Sequence, residues 1–463
     1  MDPWLRTETV GPEPDLEGLL DDRVVVAAIE RTLDLYLPHR LGHTMELVGA
    51  HVTQRIDEVG WLRHRFGMLA TVRNATSVAS KTEPRECLDM RTRAAVLREY
   101  NQPWSVEEIE LDPPKRGEVL VKMAASGLCH SDEHAYDGHI AGLVPPPMMI
   151  GGHEGSGVVQ EVGEGVDWLE PGDHVIFGFI PACGRCPSCA DGHSNLCDLL
   201  ATFTVGTQAL DGTYRHHTLD GDDLGLMCLL GTFSEHTVVN EASVIKIDKD
   251  WPLDKACLLG CGVVTGWGSA VYTGEVGPGD YVAVVGCGGI GSNAIQGAKM
   301  AGARVIAAID PVEFKREKAM EFGATHTFAS IEEAQAAIPD VTWERGYDQV
   351  IMTPGVLYGD LMALGTQLAG KGGTIVVTGV APMTQTESSV NLFELAMWNK
   401  EIKGTIFGSL NPRADIPRLL DMYRDGQLKL DELITNRYSL DEINDGYQAM
   451  RDGTNIRGVV VHG

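Results

Sequence analysis

Apolar and polar positions change rhythm several times along the chain. Residues 1–89 show no strand-like alternation, although positions 24–37 have the spacing of one amphipathic helix, which Pro38 would end. Positions 76–82 are polar and read as a linker. This N-terminal extension is expected to be weakly structured or translated from a misplaced start, with a regulatory or assembly segment as the alternative. From Met90 the texture becomes globular. Short β-type runs at 94–97, 118–123, 157–162 and 174–177, punctuated by Gly and Pro, predict an irregular, mainly β domain over 90–262. Over 263–405, buried-strand runs at 281–285, 304–309, 349–352 and 374–378 alternate with helical stretches, which predicts a doubly wound parallel sheet. After residue 405 β character returns, with helices at 416–424 and 440–450, and 406–463 is assigned to the first domain. The class is α/β.

Charge narrows the partners. The formal net charge of -28 repels phosphate backbones and anionic lipid, so neither nucleic acid nor membrane is expected as a partner. No apolar run approaches the roughly 20 residues that cross a bilayer. The N-terminus lacks the basic patch and apolar core of a secretory signal, so the expected location is cytoplasmic and the ten cysteines read as thiols or metal ligands.

The strand run Tyr281–Val285 leads directly into Gly286-Cys287-Gly288-Gly289-Ile290-Gly291, followed by a helical stretch through Ala301. In this strand–turn–helix context Gly286 permits the tight turn, Gly288 lets a pyrophosphate approach the backbone, and Gly291 lets helix and strand pack. The helix N-terminus adds free N–H groups and a positive dipole. Asp310 ends the next strand, 19 residues beyond Gly291. Its carboxylate can bind both ribose hydroxyls and would repel a 2′-phosphate, which favours NAD over NADP; Lys315 can reach the same ribose. The competing role for Asp310 is a cap for a helix over 311–320.

Cys183, Cys186, Cys189 and Cys197 form C-x2-C-x2-C-x7-C in a loop rich in Gly and Pro. Four thiolates so close can close a tetrahedron around Zn²⁺ and leave no open position, which describes a structural site. Two local disulfides or an iron–sulfur cluster are the alternatives. Cys129, His153 and Cys261 lie in three separate glycine-containing patches, and spacing alone does not pair them.

Seven motifs stand in order within the chain from Met90 to Gly463: GLCHSD (127–132), GGHEGSGVV (151–159), PGDHV (171–175), the four-cysteine loop, GCGVVTGWGSAV (260–271), VVGCGGIG (284–291) and KGTIFGS (403–409). Together they resemble the zinc-dependent medium-chain alcohol dehydrogenases. The resemblance implies a GroES-like catalytic domain beside a Rossmann domain, with two zinc ions per chain and NAD. It implies that Cys129, His153 and Cys261 hold a catalytic zinc, the Cys₂His set known for alcohol dehydrogenases, with Asp132 and Glu154 behind them. It also implies that Ser131 accepts the alcohol proton, that His134 relays it to solvent, and that Thr265 touches the nicotinamide. His130 stands where many relatives place an arginine on the pyrophosphate. Cys87, Cys228, Cys257 and Cys287 receive no role.

The long segment between Cys197 and Val238 resembles the branch of liver-type and glutathione-dependent formaldehyde dehydrogenases, which are usually homodimers. With residues 101–123 it also resembles actinobacterial alcohol dehydrogenases assayed with a nitrosoaniline dye. In that group NAD stays bound and an external acceptor, associated with mycofactocin, re-oxidises it. The expected activity is oxidation of a small alcohol to aldehyde or ketone. The alternatives are S-hydroxymethylglutathione oxidation and a non-catalytic zinc- and NAD-binding redox sensor.

Overall fold

Six strands running the same way, in the spatial order His326–Phe328, Val305–Ile309, Tyr281–Val285, Tyr347–Met352, Ala369–Val377 and Glu401–Gly404, form the sheet predicted from the alternating runs. The order reverses beside Tyr281–Val285, the switch point where such sheets bind ligands. The computed structural model describes residues 90–463, so the helix expected at 24–37, the linker at 76–82 and Cys87 lie outside the described residues.

Local chemistry explains most boundaries. The helix Gly289–Ala301 ends at Gly302, whose φ of 92° is left-handed, and the Ala303 N–H returns to the Ala298 carbonyl at 3.0 Å. The helix expected at 416–424 begins earlier, at Pro412, because Asn411 caps the Arg413 N–H and proline suits a first turn. The strand expected at 374–378 starts at Ala369. Its Gly-Lys-Gly-Gly opening reads as a turn in sequence, but Ala369 pairs with Tyr347 across an irregular register.

The remaining strands form two sheets. In the larger, Glu118–Gly127 pairs along one side with Gly155–Val162 and along the other with His236–Asn240 and then Arg457–Val461. The C-terminal strand therefore returns to the strand that leads into Cys129. The smaller sheet contains five strands, with Met90–Leu97 at its centre. The helix Gly262–Gly268, directly after Cys261, lies against Gly289–Ala301: a Cβ on Gly266 would come within 2.1 Å of the Ile290 carbonyl oxygen. That close approach fixes Cys261 relative to the glycine turn. Among the described residues no single helix is long and apolar enough to cross a membrane.

Candidate active site

Cys129 precedes the helix His130–Tyr136, His153 follows the turn at Gly151 and Gly152, and Cys261 precedes Gly262–Gly268. The fold brings these three loops together. The ligand atoms of Cys129, His153, Glu154 and Cys261 all lie within 4.8 Å of one another, in a fully buried cluster. Gly152 has a φ of 89° and sits so close to Thr232 and Phe233 that a side chain there would collide. His153 Nδ1 lies 3.1 Å from Asp132 Oδ2, while Asp132 Oδ1 accepts the Gly152 N–H at 2.9 Å. Neither ring nitrogen of His153 has a hydrogen-bond partner among the described residues; Nδ1 keeps the charge contact with Asp132, and Nε2 has none.

The electrostatics of the cluster favour a cation. Contact with Cys261, helped by His153, draws the Cys129 thiol well below its ordinary pKa, and the same contact pushes Cys261 well above it. Burial opposes charge on His153, yet Asp132 and Cys129 raise its pKa well above the usual histidine value. An imidazole driven to carry positive charge between sulfurs marks the place a metal cation would fill. The orphaned Nε2 and the thiolate–imidazole donor set fit zinc.

In the second cluster the Sγ atoms of Cys183 and Cys189 are 4.0 Å apart, and those of Cys186 and Cys197 3.8 Å. Tetrahedral zinc with bonds of about 2.3 Å separates its sulfurs by about 3.8 Å. Partial burial works against the Cys186 thiolate, but N–H groups of Asp198 and Cys189 point at its sulfur and bring its pKa down to about 7. All nine described cysteines are free of disulfides.

Beside Cys129 opens a cleft of about 600 Å³, lined among others by His130, Gly286, Gly288, Asp310 and Lys315. Gly286 takes a φ of 90°, and a Cβ there would lie 2.5 Å from the Thr353 carbonyl oxygen. Gly291 leaves no room either: its Cβ would meet the Gly286 oxygen at 1.8 Å. Gly288, by contrast, faces open space. Asp310 accepts the Cys287 N–H at 2.8 Å and the Val312 N–H at 2.9 Å, so its carboxylate bridges the glycine turn and the next loop. The helix that follows spans Glu313–Phe322 and has Val312, not Asp310, at its cap position.

Other expected residues lie behind this lining. Thr265 Oγ1 is buried with no hydrogen-bond partner among the described residues. Ser131 is half-buried, its Oγ 3.7 Å from the Cys129 sulfur. His134 is buried, bonds the backbone of the lining residue Gly355, and has its pKa lowered chiefly by burial. His130 is exposed on the cleft wall; crowding by the protein around it, with positive field from His134, Lys315 and Arg457, lowers its pKa.

Two residues escaped the sequence reading. Arg457, on the C-terminal strand, is buried and pairs with Glu154; its Nη2 also donates to the Leu128 carbonyl at 3.1 Å. Its stem packs so close to Gly289 that a Cβ there would collide with it. Burial pushes the Glu154 pKa up to about 7 against the pull of Arg457. Phe179 lies edge-on to His153, ring centroids 5.7 Å apart, and packs on Phe407 at 4.6 Å. Position 457 is 303 residues from Glu154, and no local pattern signals the pairing.

Residues 115–249 match the alcohol dehydrogenase GroES-like domain, and residues 289–425 match the zinc-binding dehydrogenase domain. An NDMA-dependent alcohol dehydrogenase of Amycolatopsis methanolica is 51% identical over 374 residues, covering 81% of this chain and 99% of the relative. An S-(hydroxymethyl)glutathione dehydrogenase of Paracoccus denitrificans is 38% identical over 384 residues, covering 81% and 100%. The crystal structure of benzyl alcohol dehydrogenase from Acinetobacter calcoaceticus superposes with a TM-score of 0.74 at 28% identity, covering 81% of this chain and 100% of that one. With a GroES-like fold joined to a Rossmann sheet and half of the aligned positions shared along the length of a relative, the chain belongs to the zinc-dependent medium-chain alcohol dehydrogenase family.

Proposed function

We propose that this chain oxidises a small alcohol to an aldehyde or ketone, reversibly, with zinc held by Cys129, His153 and Cys261 and NAD held in the adjoining cleft. The observation that carries this reading is the convergence of those three side chains, from three separate loops, beside a cleft that Cys129 shares with Gly286, Gly288 and Asp310. When bound, the zinc supplies a Lewis acid that lowers the pKa of an alcohol, and NAD supplies the hydride acceptor.

The chain's own residues do the rest. Asp132 holds His153 by Nδ1 and leaves Nε2 to the metal. Ser131 accepts the alcohol proton, and His134, neutral because buried, carries it away. Phe179 walls the site and excludes water. Gly288 admits the pyrophosphate to the backbone, and Arg457 provides a permanent cation where His130 is only a weak one. Asp310 and Lys315 meet the adenosine ribose, and Thr265 offers its unpartnered hydroxyl to the nicotinamide. The four-cysteine loop holds a second, structural zinc.

A homodimer is proposed on the face around Leu392–Met397 and the edge strand Glu401–Gly404. There Leu392 is 72% and Phe393 68% exposed, and the strand has no outer neighbour among the described residues. The likeness to a relative named for NDMA dependence supports bound NAD re-oxidised by an external acceptor. Free thiols throughout the described residues favour a reducing, cytoplasmic setting.

The test is to purify the protein without added cofactor, then measure zinc, resident nicotinamide, and turnover with NAD alone against a nitroso dye. Expected are two zinc per chain, resident NAD and dye-linked turnover. Free NADH release would reject the bound-cofactor branch. A requirement for glutathione would favour the formaldehyde reading. Full alcohol turnover in folded Cys129→Ala or His153→Ala would reject the mechanism itself.

A further inference from the structure

His139 is a side chain that neither the fold nor the proposed chemistry has used. Its Nδ1 lies 3.3 Å from Nδ1 of His134, with ring centroids 5.5 Å apart and planes tilted by 49°. His134 is buried and reaches the cleft wall through the backbone of Gly355. His139 is 30% exposed, and Asp137 Oδ2 stands 3.9 Å from the same Nδ1. The His139 backbone carbonyl accepts the Met383 N–H at 2.9 Å, so the residue is anchored from the nucleotide-binding side as well.

Two ring nitrogens can face each other at hydrogen-bond distance only if one carries a proton and the other does not. The pair is thus a shared-proton contact between a buried imidazole and one that water reaches. We propose that His139 is the outlet of the proton path. As the alcohol proton bonds to Nε2 of His134, the His134 Nδ1–H bond breaks and that proton bonds to Nδ1 of His139, whose Nε2–H bond breaks in turn, its proton going to water. The Asp137 carboxylate lies on the Nδ1 edge of His139, where that proton arrives. The charged or titratable groups facing His134 are His139, Cys129, Asp137 and His130. His139 acts through His134 and touches no substrate, so it is a positioning residue of the relay.

This inference rests on the alcohol oxidation proposed above, and its test separates the two. The protein with its resident cofactor is mixed with alcohol in weak buffer. Formation of reduced nicotinamide is followed by absorbance and proton release by a pH indicator, for wild type, His139→Gln and His139→Ala. Both variants are expected to release protons about tenfold more slowly near neutral pH. Added imidazole should restore the rate, which a merely structural defect would not allow. In the resting protein, ¹⁵N-histidine spectra should show one protonated and one bare Nδ1 for the pair, with the His134 signal changing in His139→Gln. Unchanged proton release in the variants, a loss that imidazole fails to restore, or two bare Nδ1 atoms would overturn the outlet while leaving alcohol oxidation intact. Absence of reduced nicotinamide in the wild type would overturn alcohol oxidation and the outlet with it.

Discussion

Replacing Arg457 by methionine tests what a buried cation contributes to the carboxylate behind the metal cluster. In the native protein Glu154 pairs with the guanidinium through Oε2 and accepts the Gly262 N–H at 3.2 Å through Oε1. The two side chains are 0% and 4% exposed, so water cannot take over when one partner goes. Methionine fills similar volume but leaves Glu154 one N–H donor and removes the donor to the Leu128 carbonyl. Breaking a buried pair from one side costs about 3–5 kcal/mol.

The cost also acquires a pH dependence. Burial already raises Glu154 to about 7 with Arg457 in place, and the variant lacks that downward pull. The folded variant therefore holds a proton that the unfolded chain releases above roughly pH 4.3. Because the folded state binds more protons, its stability falls as pH rises, by up to about 1.4 kcal/mol per unit, until the folded pKa is passed. In the wild type that loss ends near pH 7; in Arg457→Met it continues above. Urea midpoints for metal-free wild type, Arg457→Met, Glu154→Gln and the double variant, from about pH 6 to about pH 8, measure this directly. The gap between wild type and Arg457→Met should widen with pH, and adding Glu154→Gln should recover much of it. A gap that stays constant, or a double variant no more stable than Arg457→Met, would refute the reasoning.

Further outcomes follow from the same geometry. Gly291→Ala places a methyl within 1.8 Å of the Gly286 oxygen, so the protein should lose about 1–3 kcal/mol and retain less nicotinamide, measured by release on denaturation. Cys197→Ser should cut zinc by about one ion per chain by elemental analysis and expose the loop around Cys183–Cys197 to protease, if the second cluster is structural. His216 and His462 are held neutral by burial, with pKa values lowered to about 3 and about 4. Unfolded, they gain protons below about pH 6.5, so stability should fall as pH drops from there through those folded values. His216→Gln should reduce that slope in urea titrations by up to about 1.4 kcal/mol per unit, and an unchanged slope would count against it.

Much of the site was legible because its chemistry is local. The glycine turn needs only a strand, three small residues and a helix start, all contiguous from Tyr281 to Ala301, and the structure sets each glycine where a side chain would collide or face the open cleft. The four-cysteine loop closes within fifteen residues, so its spacing already implied the cluster that forms. Strand runs at 174–177 and 281–285 kept their bounds, since a short continuous apolar run rich in β-branched residues defines them without help from neighbours.

Tertiary structure decided the rest, because long-range contacts leave no periodic trace. Cys129, His153 and Cys261 are spread over 133 positions (261 minus 129, inclusive), and only family resemblance suggested their meeting before the folded loops brought them together. Arg457 enters the site because the last strand pairs antiparallel with the strand ending at Gly127, a register set by the sheet. The strand at Ala369 reads as a glycine turn until Tyr347 offers it a hydrogen-bonding edge. Sequence fixes a residue's chemistry and its few neighbours along the chain; which distant charge it faces once water is excluded depends on packing.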